Sequence, residues 1–483
     1  MIKLIGFAPD ADPSIPGVLT DCVNVVPTDN GLEGGPAEAD AVVGLAALAA
    51  ECRGSAVLMN TGGTRRHFAG TQTDMYELSG TAWLDVSRTA NYTGSSENRW
   101  LFDQFGNIAL ATNDTEKIQW TSAGNFQDVT AAPSARVIFT TDNFVMALNY
   151  NHTTFGDVPD GWWCSAYQDY SSWTASVTTQ ATQGRLIGNG GPLTAGLRLG
   201  PYAVAYKATS LFLGSYVGSP IVWQWERIPG DVGCIGPEAL CDIGGAHIFV
   251  GEDNIWMFDG TRPQPLATGQ VRQWFFDNSA ASQRFRTIVK YDRQNNRVWI
   301  FYVSSSGSFL DSALVYHLTT QKWGRANHSI EAAVNFVTPG ITWDTLSSLG
   351  ATWDSLPDIP WDSQLWQAGG RALAIFNTSH ELQILGGAST GGGITTGDYG
   401  DDTQVSMLRS SKLRFIQSPT SATAQSSKKM AEGDALTVSG SSTLAGGKFD
   451  HRQTGRFHRI AYTMTGPFEV VGVQPDLVPT GQR

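Results

Sequence analysis

Several residues in this chain have types and spacings that chemistry uses. Gly387-Ala388-Ser389-Thr390-Gly391 satisfies the G-x-S-x-G string, which on a sharp strand-to-helix turn exposes a nucleophilic serine beside oxyanion-binding amides. That chemistry needs a helix after the serine. Gly392 and Gly393 follow instead, so a chance match inside a Gly/Ser-rich stretch is the expected reading. The eight histidines (67, 152, 247, 317, 328, 380, 451 and 458) occur singly, with no H-E-x-x-H arrangement for a metal. His247 and His317 sit in apolar strands and read as satisfied core or interface residues, whereas His451 and His458 flank arginines and read as exposed. The neighbouring carboxylates Glu252-Asp253 and Asp401-Asp402 could divide acid and base roles, but they lie among turn residues. No G-x-x-x-x-G-K-[ST] phosphate loop and no S-x-D-x-G-x-T-W turn occurs. The expectation is a protein without a catalytic, cofactor or metal site.

Composition points the same way. The five cysteines (Cys22, Cys52, Cys164, Cys234, Cys241) form no C-x-x-C pair, and in a chain of 483 residues they read as reduced, mostly buried thiols. A formal charge of −12 argues against a surface that grips nucleic acid, because such binding needs Lys and Arg to displace counterions from phosphates. The apolar stretch Leu4 to Ala8 is too short for a signal-peptide core, and the longest apolar run, Ala41 to Ala50, is about half of what spans a bilayer. A soluble, non-secreted chain is expected.

The elements that would carry any site are strands. Glycine (53) and tryptophan (16) are abundant and only 16% of residues are charged, which favours short strands joined by turns. From about residue 52 a unit of apolar strand, polar turn and apolar strand recurs roughly every 40 residues, the length of a four-stranded propeller blade. The units begin near Ser55, Trp100, Arg136, Leu197, Ala246 and Thr287. The strand Val298-Trp299-Ile300-Phe301-Tyr302-Val303 is apolar on both faces, so it must be covered on both sides, as a radially packed blade is. The reading is an all-β chain with a β-propeller-like core of six or seven blades over residues 46–385. An N-terminal strap, 1–45, precedes it, and a C-terminal β/loop projection, 386–483, follows. A two-sheet sandwich is the alternative for the core.

Two segments fall outside the repeat. Near 340–365, Trp343-Asp344, Trp353-Asp354 and Trp361-Asp362 form three Trp-Asp steps, read as a self-packed insertion or, if the indoles are exposed, a docking patch. Residues 387–450 are rich in Gly, Ser and Thr and read as a loop or mobile projection. Between 408 and 459, nine Lys and Arg (Arg409, Lys412, Arg414, Lys428, Lys429, Lys448, Arg452, Arg456, Arg459) face only Glu432, Asp434 and Asp450.

Several segments together resemble the tail nozzle or tail hub proteins of short-tailed bacteriophages, a group that includes packaged-DNA stabilisation proteins. The opening IKLIGFAPDADPSIPGVLTDCVNVVPTDNGLEGGP is similar to their N-terminal strap, and WWCSAYQDYSSW to a blade edge. IPGDVGCIGPEAL, GEDNIWMFDGTRPQPLA, and KYDRQNNRVWIFYV with LVYHLTTQKW resemble their best-marked blades. TWDTL, TWDSLP, PWDS and GRFHRI fit the same pattern. The resemblance implies a homohexameric ring in the virion tail, assembled in the host bacterial cytoplasm below portal and adaptor proteins. Its central channel would retain genomic DNA and conduct it at infection. It implies docking of fibres or spikes and no active-site residues. The chain is shorter than many members, so inserted fibre-docking domains are expected to be reduced or absent. Candidate contacts with other subunits or tail parts are the strap, Trp343, Trp353 and Trp361, and Arg452, Arg456 and Arg459. The competing reading is a carbohydrate-binding or glycan-cleaving propeller at the host surface, with tryptophans stacked on sugars.

Overall fold

The computed structural model describes residues 1–337 and 371–481. Residues 55–85 form the first repeat: four antiparallel strands, Ser55–Met59, Arg65–Gly70, Met75–Ser79 and Ala82–Asp85, each hydrogen-bonded to the next. Local turn chemistry dictates this hairpin order. In the third repeat, for example, Asp142 and Asn143 both take positive φ (46° and 66°), the pair of left-handed residues that a two-residue hairpin turn with the correct twist requires.

The same unit recurs at 101–128, 134–185, 193–227, 240–265 and 288–326. A further one is built from Ile330–Val337, Arg371–Asn377 and Leu382–Gly387, with a fourth strand, Ala37–Asp40, supplied from the N-terminal end. Six of these blades stand as separate four-stranded sheets, and the unit at 288–326 forms one end of a larger, ten-stranded sheet. The first strands of the successive units touch in turn, and the first strand of the last touches Ser55–Met59, which closes a β-propeller ring. We number the blades 1 to 7 in the order of these innermost strands.

The core lies between blades. Alternation in the strand Arg297–Tyr302 sends Val298, Ile300 and Tyr302 into one apolar cluster, and Trp299 and Phe301, with Val303 beyond the strand, into another. All six residues of that strand are buried, as two-sided covering demands. Between blades 3 and 4, Phe139, Met146 and Leu148 pack on Leu193, Ala203 and Ala205. Gly196 is needed there: a Cβ at that position would lie 2.3 Å from Leu148 Cδ1.

The two chain ends do not form an extended strap and a mobile projection. They fold together into two further sheets. One continues from blade 6 through Val25–Pro27, Leu32–Gly34, Glu469–Gly481, Val405–Gln417 and Phe449–Gly455, with Ile2–Lys3 beside Glu469–Gly481. The other runs through Gly6–Phe7, Val18–Val23, Gly391–Thr396, Phe457–Thr465, Ser421–Lys429 and Thr437–Thr443, with Tyr399–Gly400 beside Phe457–Thr465. Leu408, Leu413, Phe449, Ile460, Tyr462 and Val473, from both sheets, pack in one buried cluster as a sandwich. The glycine triplet expected to be loop is strand because Gly391 and Gly392 let backbones approach closely. A Cβ would fall 2.3 Å from Met464 O at the first and 2.4 Å from Asn24 O at the second. The N-terminal segment also clamps the propeller. Asp10 accepts hydrogen bonds from the amides of Gln273 (2.6 Å) and Trp274 (2.9 Å), capping the helix Arg272–Asn278, and Glu33 pairs with Arg297 at 2.6 Å. No helix of the described residues is long and apolar enough to cross a membrane.

Candidate functional site

The innermost strands converge on the propeller axis. Ser55, Leu101, Ile138, Gly196, Leu240, Val289 and Asn335, one residue from each blade, line a channel cavity of about 270 Å³. At the end where these strands begin, the channel opens into a larger cavity of about 580 Å³ lined by Arg53, Arg99, Arg136 and Arg286 together with Glu51, Glu97 and Glu331. Phe285 and Phe309, 37% and 48% exposed, stand at its rim.

Two ion pairs cross this mouth. Arg99 at the start of blade 2 donates to Glu238 at the start of blade 5 (2.7 Å), and Arg286 before blade 6 forms a two-pronged pair with Glu97 before blade 2 (2.8 Å for Nε to Oε2). Neither pair joins adjacent blades, so each acts as a clasp across the ring. Arg53 pairs with Glu51 at 2.7 Å, and Glu331 accepts from the Cys52 amide (2.8 Å) and meets His380 Nδ1 at 2.6 Å. Burial raises the Glu331 pKa above the usual carboxylate range. Arg136 has no hydrogen bond or ion pair among the described residues.

Three of the mouth residues, Arg53, Arg99 and Arg286, belong to a sequence signal that a motif search misses. Arg53, Arg99, Glu238, Arg286 and His328 each lie two residues before the innermost strand of blades 1, 2, 5, 6 and 7. Aligning the repeats on those strand starts would have shown a charged or titratable residue at one recurring position.

Histidine pairings test the nucleophile chemistry. Ser55 Oγ lies 2.8 Å from His67 Nε2, Ser406 Oγ 3.0 Å from His458 Nε2, and Ser411 Oγ 2.9 Å from His451 Nε2. In the first pair the hydroxyl donates to the Phe68 carbonyl (2.8 Å), so Nε2 holds the ring proton and cannot take one from the serine. Burial pushes the His67 pKa down to about 3, and Nδ1 has no partner. The histidines that meet carboxylates, His317 with Asp29, His328 with Glu38 and His380 with Glu331, are different ones. A serine, histidine and carboxylate in sequence, which nucleophile activation uses, is therefore not assembled among the described residues. His451 and His458, expected to be exposed, are 5% and 0% exposed, because their strands place them on the sandwich's inner face. His247 is fully buried between the Tyr206 hydroxyl (2.8 Å) and the Arg198 carbonyl (2.9 Å).

The other sequence candidates are placed as follows. Ser389 lies between two strands, and its Oγ accepts the Gly391 amide at 3.2 Å. Asp401 accepts the amides of Thr403 and Gln404 in its turn. All five cysteines are buried and unpaired, and burial pushes the thiols of Cys52, Cys164, Cys234 and Cys241 up to about 12. No group of three or more metal-ligating side chains occurs among the described residues. Trp343, Trp353 and Trp361 lie outside the described residues.

Arg452 is exposed on the strand Phe449–Gly455, Arg456 is half-buried, and Arg459, half-buried, lies on the strand Phe457–Thr465 of the other sheet, on the face opposite the buried His458 and Ile460. Arg459 and Lys429 both pair with the buried carboxylate of Asp398, each at 2.8 Å. The structure thus does not bring the three arginines onto one surface. Arg452 instead shares the outward face of the ten-stranded sheet with Arg409, Lys412, Arg414 and Lys448. Among the described residues, only Asp450 and Asp476 form ion pairs with these cations, with Lys448 and Arg409. Lys412, Arg414 and Arg452 make no ion pair among the described residues.

No protein-family profile and no curated protein sequence matches the chain. Similar solved structures include the extracellular domain of a hybrid two-component system from B. thetaiotaomicron (11% identity, TM-score 0.42, covering 87% of this chain and 47% of that one). The Pan2 WD40 domain of Neurospora crassa has 8% identity and a TM-score of 0.36 over 70% of this chain and 89% of its own. PorZ, a surface component of the type-IX secretion system of Porphyromonas gingivalis, has 11% identity and a TM-score of 0.35. That match covers 60% of this chain and 35% of PorZ, so this chain spans about a third of PorZ's length. Likenesses this distant carry no functional argument.

Proposed function

We propose that this chain is a structural virion protein, the tail nozzle or hub of a short-tailed phage, and that copies of it, six by resemblance, build a ring in the virion tail. The observation that carries the reading is the exposed basic sheet face on a net-acidic, rigid body. Lys412, Arg414 and Arg452 make no ion pair among the described residues and stand on a sandwich that is continuous with blade 6 and contains both chain ends. Such a face suits contact with an acidic surface on a neighbouring copy or on the portal-adaptor proteins above. Fibres or spikes would dock on the outer blades. The propeller axis is not the DNA path: a cavity of about 270 Å³ under two crossing ion pairs cannot admit a duplex whose major groove alone is about 12 Å wide. Genomic DNA would pass through the lumen between copies, held without sequence-specific contacts. The carbohydrate reading would need tryptophans that stack on sugars, and among the described residues none is fully exposed, while Trp83, Trp120, Trp225, Trp256 and Trp274 are half-buried.

Light scattering and negative-stain imaging under assembly conditions test the proposal. Rings are expected from the parent chain, and folded monomers from the triple variant Lys412→Glu, Arg414→Glu, Arg452→Glu. A compact monomer from the parent, even with its tail partners, overturns the ring. Normal rings from the triple variant overturn the role of the sheet face.

A further inference from the structure

The mouth of the propeller takes no part in the ring contact just proposed, and closure of the ring makes it two-sided. Blades 1 to 3 bring Arg53, Arg99 and Arg136 to it, and the first two are tied where their strands begin by the Trp100 amide, which donates to the Arg53 carbonyl (2.8 Å). Blades 6 and 7, with the segment before them, supply an apolar wall of Phe285, Phe309, Leu310 and Ile330. At about 580 Å³ the cavity has the size of a small-molecule site, roughly 300–1,000 Å³.

The hydrogen-bond donors of this mouth select the ligand. Each guanidinium already has a carboxylate near it: Glu51 at Arg53, Glu238 at Arg99, Glu97 at Arg286, and Asp114, which acts on Arg136 through its charge. Glu331 is taken by the Cys52 amide and His380. The mouth therefore carries little net charge, and its carboxylates repel a polyphosphate or a nucleic-acid backbone. A guanidinium has more N–H groups than one carboxylate can accept from. Arg53 Nε and Arg99 Nη2 are buried and meet no acceptor among the described residues, and the Arg53 side chain is only 9% exposed. Donors buried without a partner are destabilising. One further oxyanion at these side chains supplies acceptors, and the apolar wall favours a ligand whose remainder is uncharged. We propose that the mouth binds a small amphiphilic monoanion, a single oxyanion head on an aromatic or aliphatic body, with the head at Arg53, Arg99 and Arg136 and the body against Phe285 and Phe309. This site does not depend on whether copies of the chain form a ring.

The probe is anilinonaphthalene sulfonate, a monoanion of this form that fluoresces when bound, titrated into the full chain with naphthalene carboxylate and the uncharged naphthalene methanol as competitors. Saturable binding of one probe per chain is expected. The carboxylate should displace it roughly tenfold more readily than the alcohol, the difference that a charge-assisted hydrogen bond makes. Arg53→Gln and Arg136→Gln should each weaken binding roughly tenfold, and Phe309→Ser should weaken it as well. If Arg53→Gln lowers the melting temperature, Arg136→Gln and Phe309→Ser carry the test, because those side chains are less buried. The double variant Val177→Ser, Ile221→Ser, at exposed apolar positions that do not line the mouth, should bind the probe as the parent does. Absence of saturable binding, equal displacement by carboxylate and alcohol, or indifference to the mouth variants overturns the inference. Loss of binding in the Val177 and Ile221 variant alone would move the probe off the mouth and overturn it as well.

Discussion

The propeller and the sandwich are both antiparallel β structures, yet they are held together in opposite ways. Each blade from 1 to 6 pairs strands that follow one another in sequence, and only blade 7 needs a distant strand, Ala37–Asp40. In the sandwich, Leu19 pairs with Thr396, Ile2 with Val473 and Glu33 with Glu469. The propeller is thus closed by one non-local strand, while the sandwich, whose strands in 391–481 also pair with one another, is completed by short strands from the other end of the chain. Loop closure of that length carries an entropic cost repaid only when the whole sheet forms.

The largest effect that can break this comparison is a truncation. Removing residues 1–34 takes away the N-terminal strands of the sandwich but keeps the closing strand of blade 7. Hydrogen exchange should then show protection lowered in 391–481, most at Gly391–Thr396 and Glu469–Gly481, which lose their N-terminal partners, with blades 1 to 5 still protected. Removing 1–45 should in addition expose the blade 7 to blade 1 junction, where Ala41, Leu48 and Cys52 are buried against Val334, Phe336 and Ile384, and release it to limited proteolysis. Unchanged protection of 391–481 in the shorter deletion would show that the sandwich folds without its N-terminal partners.

Next in size are the buried charges, one in each region. Asp398 in the sandwich holds Lys429 and Arg459, and Asp398→Asn should cost about 3 kcal/mol because two cations then lose the counter-charge of a carboxylate that is only 5% exposed. In the propeller, Arg99→Ala strands Glu238, whose side chain is 9% exposed and keeps only the distant Lys290 at 4.0 Å. A loss of a similar size, about 3 kcal/mol, is expected by urea denaturation. If the first lowers protection only in the sandwich and the second only in the blades, the two regions unfold separately.

How much of each region was legible follows from the same contrast. Six blades could be read because hairpin turns and apolar strands lie side by side in sequence, as in Ile248-Phe249-Val250 and Ile255-Trp256-Met257-Phe258 around Gly251 to Asn254. Blade 7 escaped because the Trp-Asp stretch separates its first two strands and its fourth lies near residue 40. The sandwich escaped because its strands are polar. Yet Ser421-Ala422-Thr423-Ala424-Gln425-Ser426 alternates, with Ala422, Ala424 and Ser426 buried and the others exposed. That period of two was the available signal, and its small inward residues hid it. The mouth was illegible from motifs because its arginines are single residues far apart, brought together only by closure of the ring.

Glycine substitutions should have an intermediate effect. Gly392→Val forces a side chain onto the Asn24 and Val23 carbonyls and should cost about 1–3 kcal/mol, read as a lower urea midpoint with loss of protection at 18–23. Gly440, with open space around it in the sandwich's edge strand, should accept Val with a change within about 0.5 kcal/mol. Equal effects at the two positions would mean that close approach is not what the triplet supplies.

The smallest effect expected is a titration. His67 in blade 1 has its pKa pushed down to about 3 by burial, against about 6.5 when unfolded. Between those values the unfolded chain holds a proton that the native chain lacks, so stability rises with pH through this window and is complete above it. The slope from this one group cannot exceed about 1.4 kcal/mol per pH unit. His67→Gln removes the titrating group, and the urea midpoint of that variant should fall less between pH 7 and pH 5 than the parent's. Burial lowers the pKa of His451 and His458 in the same direction, so the matching His458→Gln variant should flatten the pH response of 391–481 and leave that of blade 1 unchanged. Equal flattening of both regions by either variant would show that the propeller and the sandwich, though built by different rules, unfold as one unit through the sheet they share at Val25 and Arg325.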